Sequence, residues 1–259
     1  MASTTDFSSI LDVIKTHRAA SIIALGAAIA IPLAIKDYRT YLSYGPGGLP
    51  YNAAGWLIAN IARLISREPL STSVYNNPSL PFANEPGYLP ADFPHRRNSE
   101  RPRLGPHPIP QRQLDQLPSN DICAKLVTCF TQLSDQAQAK GLTVYEQSKY
   151  ELRHKAIFVS RSRDWHEMAQ QTNGEISHVH QGLDNSIHVV LHPADAKAVI
   201  DAGWGQRHGL SGLNLSKRVR LPITYVLIYA PRNETDVAVA MTIVKASIRF
   251  MTGSREQLE

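Results

Sequence analysis

The sequence predicts an α+β fold, in which a mostly antiparallel sheet with flanking helices follows an N-terminal transmembrane helix. Three observations predict it. Residues 19–35 form an uncharged apolar run, residues 69–118 contain 11 of the 17 prolines, and strand-like and helical patterns alternate from residue 119 onward. The order helix, several strands, helix, strand, helix favours an antiparallel sheet. A chain of 259 residues is also long enough to bury a substantial core.

The N-terminal apolar run is bounded by basic residues, with Lys15 and Arg18 before it and Lys36 and Arg39 after it. Its 17 uncharged residues are at the short end of what crosses a bilayer as a helix. A cleaved signal peptide and a buried helix of a soluble domain share part of this pattern. The run is long for a signal peptide, however, and no clear small-residue cleavage site follows it. We therefore interpret residues 1–45 as an uncleaved anchor that makes the protein single-pass in an intracellular membrane.

Residues 46–118 predict a surface segment that joins the anchor to the catalytic domain. A second apolar stretch, residues 53–65, is only 13 residues long and is interrupted by Arg63. These features favour an interfacial or surface-packed helix over a second membrane span. The proline-rich part after it cannot form one regular helix and is unsuited to a central strand. It predicts an extended connector that wraps over the domain.

Residues 119–259 predict one catalytic domain with both helices and strands. Ser119 or Asn120 can cap a first helix, Pro193 suits the first turn of a second, and Asn233 can cap the last. The run PITYVLIYA is typical of a buried strand. The predicted elements are a helix over residues 119–140, strands over residues 142–148 and 154–160, a hairpin over residues 175–191, a helix over residues 193–202, a strand over residues 222–230 and a helix after Asn233.

Composition argues against nucleic-acid binding and leaves a small molecule as the expected ligand. The formal charge of +5 is modest and its basic residues are scattered. The densest basic cluster runs from His95 to Arg103, among prolines and without interleaved aromatic residues. Cys123 and Cys129 are six residues apart, a spacing that indicates neither a disulfide framework nor a metal knuckle.

Residues 175–208 carry the most unusual chemistry, because five of the ten histidines lie there. His178 and His180 are two residues apart, so on a strand they point to the same face. A turn-rich segment follows and would return His188 beside them on the neighbouring strand. Glu175 lies an odd number of residues before both histidines, so on a regular strand its side chain is expected on the opposite face. The pattern therefore predicts three imidazoles on one surface of a sheet.

Further candidates for the site follow in the sequence. Arg207 and His208 end the motif Gly-Trp-Gly-Gln-Arg-His and are expected in a loop near the histidine cluster. The predicted catalytic residues are His178, His180, His188, Arg207 and His208, and the predicted substrate-binding residues are Glu175, Asp184, Trp204, Tyr229 and Arg232. For Trp204, a place in the core is an equally open alternative. The sequence favours a structural role for the other two: Tyr229 fills the core with its hydroxyl satisfied, and Arg232 pairs with Glu234 or Asp236 at a helix start.

Several of these motifs resemble those of the fungal luciferase family, and the resemblance extends over nearly the whole chain. The matching segments are Ala30-Ile-Pro with Lys36-Asp-Tyr, Lys155-Ala-Ile-Phe, Glu175-Ile-x-His-x-His, His188, Gly203-Trp-Gly-Gln-Arg-His, Tyr229-Ala-Pro-Arg-Asn-Glu, Ala246-Ser-Ile and Met251-Thr. The connector and residues 161–173 match weakly.

The resemblance implies an oxygenase that adds O2 to a hydroxypyrone such as 3-hydroxyhispidin, with decarboxylation and light emission. It also implies that O2 is a co-substrate and that no cofactor is needed. A neutral histidine would then remove the enol proton, and an arginine would hold the anion.

The residues themselves leave other chemistries open. His178, His180 and His188 also have the spacing of three metal ligands, as in small β-barrel dioxygenases. The same pocket could serve a non-luminescent decarboxylase, cyclase or oxygenase of a fungal polyketide pathway. A membrane-tethered binding protein for such aromatic or pyrone ligands is the third possibility.

The anchor interpretation predicts how the protein fractionates. Deletion of residues 1–40 should move it from the membrane pellet to the soluble fraction after high-speed centrifugation, because the apolar run would be gone. Far-ultraviolet circular dichroism should show that the remaining domain is folded. Full-length protein that is already soluble without detergent would contradict the anchor.

Overall fold

The computed structural model describes residues 15–93, 96–216 and 219–258, without the side chains of residues 215, 216 and 219. The chain forms two compact units that divide between Tyr44 and Gly45. Residues 1–14 of the predicted anchor and His95 of the basic cluster lie outside the described residues.

The first unit consists of helix α1, Arg18–Ser43. It is longer than the apolar run that predicted it, because it continues through Lys36 and Arg39. Among the described helices, α1 is the one that is long and apolar enough to cross a membrane. Its 26 residues extend over about 39 Å at the usual helical rise. Its apolar side chains are exposed, as Ile22 and Leu25 show at 71% and 65%.

The second unit is built on a six-stranded sheet, and the prediction of an antiparallel sheet is confirmed. Its strands lie in the order β1-β2-β3-β4-β8-β5, and all neighbours are antiparallel. The strands are β1 Thr143–Gln147, β2 Lys155–Val159, β3 Glu175–Val179, β4 Ile187–Val190, β5 Gly205–Arg207 and β8 Tyr225–Ile228. A separate two-stranded ribbon is formed by β6, Asn214–Ser216, and β7, Val219–Arg220.

Helices of this unit cover the apolar face of the sheet. Its helices are α2 Ala53–Leu64, α3 Asn120–Ala139, α4 Glu167–Gln171, α5 Pro193–Asp201 and α6 Glu234–Thr252, with one 3₁₀ turn at Ser73–Asn76. Helices α3 and α6 pack against each other, α3 also contacts β1, and α6 contacts β2, β3 and β4. Helix α6 begins where predicted, because Oδ1 of Asn233 accepts the amide N–H of Asp236 at 2.8 Å.

The short elements α4, β5, β6 and β7 were not predicted from the sequence. The expectation that Arg207 lies in a loop is wrong, because Arg207 ends β5 and pairs with Val226 of β8. A three-residue strand that begins with glycine leaves little periodic signal. The glycine is required there, since a Cβ at Gly205 would collide with the carbonyl oxygen of Leu227.

The two faces of the sheet have different neighbours because successive side chains alternate between them. Ile187 and Val189 of β4 belong to the hydrophobic core that α3 and α6 help to build. His188, between them, points to the opposite face. The proline-rich segment contacts that side, where the amide N–H of Gln113 donates to Asp184 at 2.6 Å. The predicted connector therefore belongs to the same compact unit as the sheet.

Two histidines on the helical side of the unit predict a pH-dependent stability. His166 and His192 both pack against Phe250, and burial lowers the pKa of each below 6.5. As pH falls below 6.5, the unfolded chain takes up protons that the folded chain resists, so this contribution to stability is lost. Replacing His166 by Gln and His192 by Asn, which retains a helix-capping side chain, should flatten the pH dependence.

Denaturant unfolding in detergent at pH 7, 6 and 5 measures this effect as the difference between the double variant and the parent protein. Using the difference removes the contributions of all other titrating groups. Identical pH dependence in the two proteins would contradict the assignment.

Candidate active site

Three imidazoles meet on the face of the sheet opposite the helices, as the hairpin prediction requires. The register of β3 and β4 places His178 opposite His188, and His180 follows directly after β3. The ring centroids are 5.2 Å apart for His178 and His188, 5.3 Å for His178 and His180, and 4.9 Å for His180 and His188. All three side chains are buried. The strand spacing and the turn therefore create one compact cluster.

The prediction that Glu175 points away from this cluster is wrong. Ser177 pairs with Ile157 of β2, but Glu175 pairs with Phe158, so Ile176 is an extra residue in β3. Such a bulge reverses the alternation of side chains beyond it. Glu175 consequently shares a face with His178, and its Oε1 lies 2.7 Å from Nδ1 of that histidine. Because a carboxylate only accepts, Nδ1 of His178 carries a proton, and in the neutral form of the ring Nε2 has the lone pair.

His180 is oriented in the same way by the turn that precedes β4. Its Nδ1 lies 3.1 Å from Oδ1 of Asp184 and 2.9 Å from Oγ of Ser186. The hydroxyl of Ser186 donates to the other oxygen of Asp184 at 2.9 Å, so the serine accepts from the histidine. Asp184 therefore contacts His180, and this arrangement leaves a lone pair on Nε2 of His180.

His188 and His208 have different surroundings. The ring of His188 stacks on Tyr225, with centroids 4.7 Å apart and an angle of 8° between the planes. Its Nδ1 is buried and has no hydrogen-bond partner among the described residues. In His208, Nδ1 accepts the amide N–H of Leu210 at 3.1 Å, and the ring also bonds to the backbone of Pro108, which offers only a carbonyl. With both nitrogens engaged, His208 is better suited to form the wall than to accept a proton.

A cavity of about 280 Å³ lies against four of these histidines. This volume is close to the lower end of the range for small-molecule sites. The cavity is lined by Gly47, Gly48, Leu49, Ile109, Pro110, Gln111, Arg112, Lys149, Tyr150, Glu151, His178, His180, His188, His208, Leu210, Arg220, Leu221 and Tyr225. Its wall thus combines the sheet with two segments from the predicted connector.

A buried ion pair lies beside the histidines and was missed by sequence reasoning. Nη2 of Arg112 is 2.8 Å from Oε1 of Glu151, and both side chains are 3% exposed. The other carboxylate oxygen of Glu151 lies 3.7 Å from Nε2 of His180. Neither residue belongs to a recognisable motif, since Arg112 lies in the proline-rich segment and Glu151 in the β1–β2 connection. Only the tertiary fold brings them to the cavity.

Arg207, the predicted partner of an anion, is not among the residues that line the cavity. Its Nη2 donates to the backbone carbonyl of Glu68 at 2.6 Å, and its amide N–H donates to the carbonyl of Pro69 at 3.0 Å. These bonds fasten the start of the proline-rich segment to β5. Arg112 is the buried guanidinium that lines the cavity instead, and Arg220 lines it as an exposed side chain.

None of the five predicted substrate-binding residues is in the cavity wall. Glu175 and Asp184 contact His178 and His180 instead. Trp204 belongs to the hydrophobic core. The hydroxyl of Tyr229 donates to Gln206 at 3.0 Å, and Nε of Arg232 lies 2.9 Å from Asp236 at the start of α6. These contacts agree with a structural role for Trp204, Tyr229 and Arg232 rather than with substrate binding.

Burial sets the protonation of the site. It lowers the pKa of His180 and of His188 well below 6.5, and nearby Arg112 and the other imidazoles lower both further. The pKa of His208 falls to about 4, also through burial. These three rings are therefore neutral at pH 7 and keep a lone pair. Burial raises the pKa of Glu151 and of Asp184, against the opposing influence of Arg112.

Comparisons with known proteins identify relatives over most of the chain. Residues 173–247, which include the four clustered histidines, match the model of the Luciferase domain. The luciferase of Armillaria ostoyae is 35% identical over 238 residues, covering 89% of this chain and 86% of the relative. The luciferase of Neonothopanus nambi is 34% identical over 238 residues, covering 89% and 85%. No solved structure gives a significant match. The chain therefore belongs to the fungal luciferase family.

Proposed function

We propose that this protein is an oxygenase that adds O2 to a small hydroxypyrone such as 3-hydroxyhispidin, with loss of CO2 and with light when the product forms in an excited state. The kinship with proteins named luciferase supports the reaction class. The observation that carries the proposal is a cavity in which a buried guanidinium faces neutral imidazoles. That combination suits a substrate that becomes an anion in the site.

The chemistry explains why an anion is needed. Ground-state O2 is a triplet and reacts slowly with closed-shell molecules, whereas an enolate is electron-rich enough to give up one electron. The enol O–H bond therefore breaks first and its proton passes to a group of the protein. Carbon then bonds to oxygen, the peroxide closes onto the lactone carbonyl, and CO2 leaves as the O–O bond breaks. O2 is the oxidant throughout.

The site contains groups that can accept the enol proton. Nε2 of His178 and of His180 carry lone pairs because their Nδ1 atoms bond to Glu175 and Asp184. A carboxylate that orients an imidazole in this way also stabilises its protonated form. Glu151 is the other available acceptor, 3.7 Å from Nε2 of His180.

Arg112 is the residue that would hold the enolate. Its charge is permanent, and it is held in the cavity wall by bonds to Gln111 and Glu151, so it places a fixed positive charge where the enolate forms. Glu151 fixes its position through the 2.8 Å ion pair. Lys149 and Arg220, which are exposed on the cavity wall, add positive potential for an approaching anion.

Apolar side chains complete the cavity and limit the access of water. Leu49, Ile109, Leu221 and Tyr225 line it together with the polar groups. Water exclusion strengthens the contact between Arg112 and an anion and protects a peroxide from side reactions.

The proposal predicts oxygen-dependent turnover. Purified full-length protein in detergent, given 3-hydroxyhispidin under air, should consume one O2 for each substrate and release CO2, with photons recorded in parallel. Under argon the substrate should persist. Product formation at the same rate under argon would contradict the oxygenase and favour a decarboxylase or cyclase.

A matched pair of variants tests which arginine holds the anion. Arg112→Lys should lower turnover by about 10²–10³, because an ammonium cannot reproduce the planar set of bonds that fixes the guanidinium against Gln111, Glu151 and the cavity. Arg207→Lys makes the same substitution at a buried position outside the cavity, and folded Arg207→Lys protein should retain near-parental turnover. If circular dichroism shows both variants to be folded and Arg207→Lys loses more turnover than Arg112→Lys, Arg207 rather than Arg112 holds the anion.

A further inference from the structure

We propose that His178, His180 and His188 form a binding site for one divalent transition-metal ion. One ring nitrogen from each residue lies within 4.8 Å of the others. A metal at the usual metal–nitrogen distance of about 2.1 Å requires nitrogens about 3.4 Å apart. Metal binding would therefore require the three side chains to rotate toward one another. Imidazole ligands favour zinc, iron, copper, nickel or cobalt over calcium and magnesium.

The hydrogen bonds behind two of the imidazoles have the pattern of metal ligands. Glu175 accepts from Nδ1 of His178, and Asp184 accepts from Nδ1 of His180. Metal-bound histidines commonly donate their second nitrogen to a carboxylate, which fixes the ring and makes the ligating nitrogen more basic. A general base needs one such histidine. A metal site needs several oriented imidazoles. Here two imidazoles are each oriented by a carboxylate and lie beside a third.

His188 supplies an independent observation. It is 4% exposed, and its Nδ1 is buried without a hydrogen-bond partner among the described residues. A buried polar atom without a partner is costly and needs an explanation. His188 lies at the centre of the cluster, with its ring held by Tyr225 at 4.7 Å. A cation coordinated through Nδ1 would give this atom the polar partner that the described residues do not provide.

The charges around the cluster also fit a divalent cation. Glu151, Glu175 and Asp184 are buried beside the imidazoles, and Arg112 is the buried basic side chain paired with one of them. Among these buried groups, three formal negative charges and one positive charge leave an excess of two negative charges, while Lys149 and Arg220 on the same cavity wall are exposed. An ion of charge +2 balances this excess without protonating any imidazole.

This site deepens the proposed function, since the ion would lie on the wall of the same cavity. Coordination uses the lone pairs that would otherwise accept the enol proton. Glu151, 3.7 Å from Nε2 of His180, is then the remaining proton acceptor. Binding of the ion itself can be measured without substrate, so it is tested separately from the oxygenase activity.

The test is a titration of chelator-stripped full-length protein in detergent with Co²⁺, followed by visible absorption, together with elemental analysis of protein as purified. We expect saturation at one equivalent and d–d bands of nitrogen-ligated cobalt. His188→Asn should weaken binding by at least about 100-fold, since it removes a ligand. Glu175→Gln keeps all three ligands and should weaken it by about 10–100-fold.

His192→Asn is the matched control, because it makes the same change at a buried histidine that caps α5 through the amide N–H of Ala194. It should bind Co²⁺ as the parent protein does. If His188→Asn does not fold, the Glu175→Gln titration decides. Absence of saturable Co²⁺ binding in the parent protein, or parental affinity in both His188→Asn and Glu175→Gln, would overturn the metal site. Stoichiometric binding without O2 consumption would support the metal site and overturn the proposed oxygenase instead.

Discussion

The pairing of β3 with β4 is the interaction on which the site depends. It sets His178 directly opposite His188 and leaves His180 at the end of the strand, where the turn orients it. The bulge at Ile176 then brings Glu175 to the same face. A one-residue change of register would move the histidines to the core side of the sheet, where the helices pack. The hairpin therefore fixes both the position and the hydrogen bonding of the cluster.

The proline-rich segment adds the positive charge of the site. Gln113 binds Asp184 through its backbone and accepts the amide N–H of Ala230 through its side chain. The preceding residue, Arg112, is thereby held beside the histidines and pairs with Glu151. Burying such a pair costs more desolvation energy than an exposed pair would, so it contributes little net stability. Its value is to place a fixed positive charge inside a small cavity.

Features of the site that depend on residues close together in the sequence were predictable, and contacts between residues far apart in the sequence were not. The face shared by His188 and its two neighbours was predictable because strand periodicity and turn composition are local signals. The contact of Arg112 with the cavity was not, because Arg112 precedes His178 by 66 residues and only the tertiary fold brings them together. Arg207 was misplaced because its three-residue strand gave no pattern, and its guanidinium bonds to Glu68 instead. Tyr225, which stacks on His188, was hidden in an apolar strand.

We propose that the cavity binds its substrate as an anion held by Arg112. The most direct measurement is the absorption spectrum of 3-hydroxyhispidin bound under argon, at a pH where the free molecule is neutral. Opposite charge near a titrating group lowers its pKa by about 1–3 units. We expect the enolate spectrum for substrate bound to the parent protein and a shift toward the neutral form in Arg112→Gln, which removes the positive charge. Substrate bound to the parent protein with the spectrum of the neutral enol would contradict it.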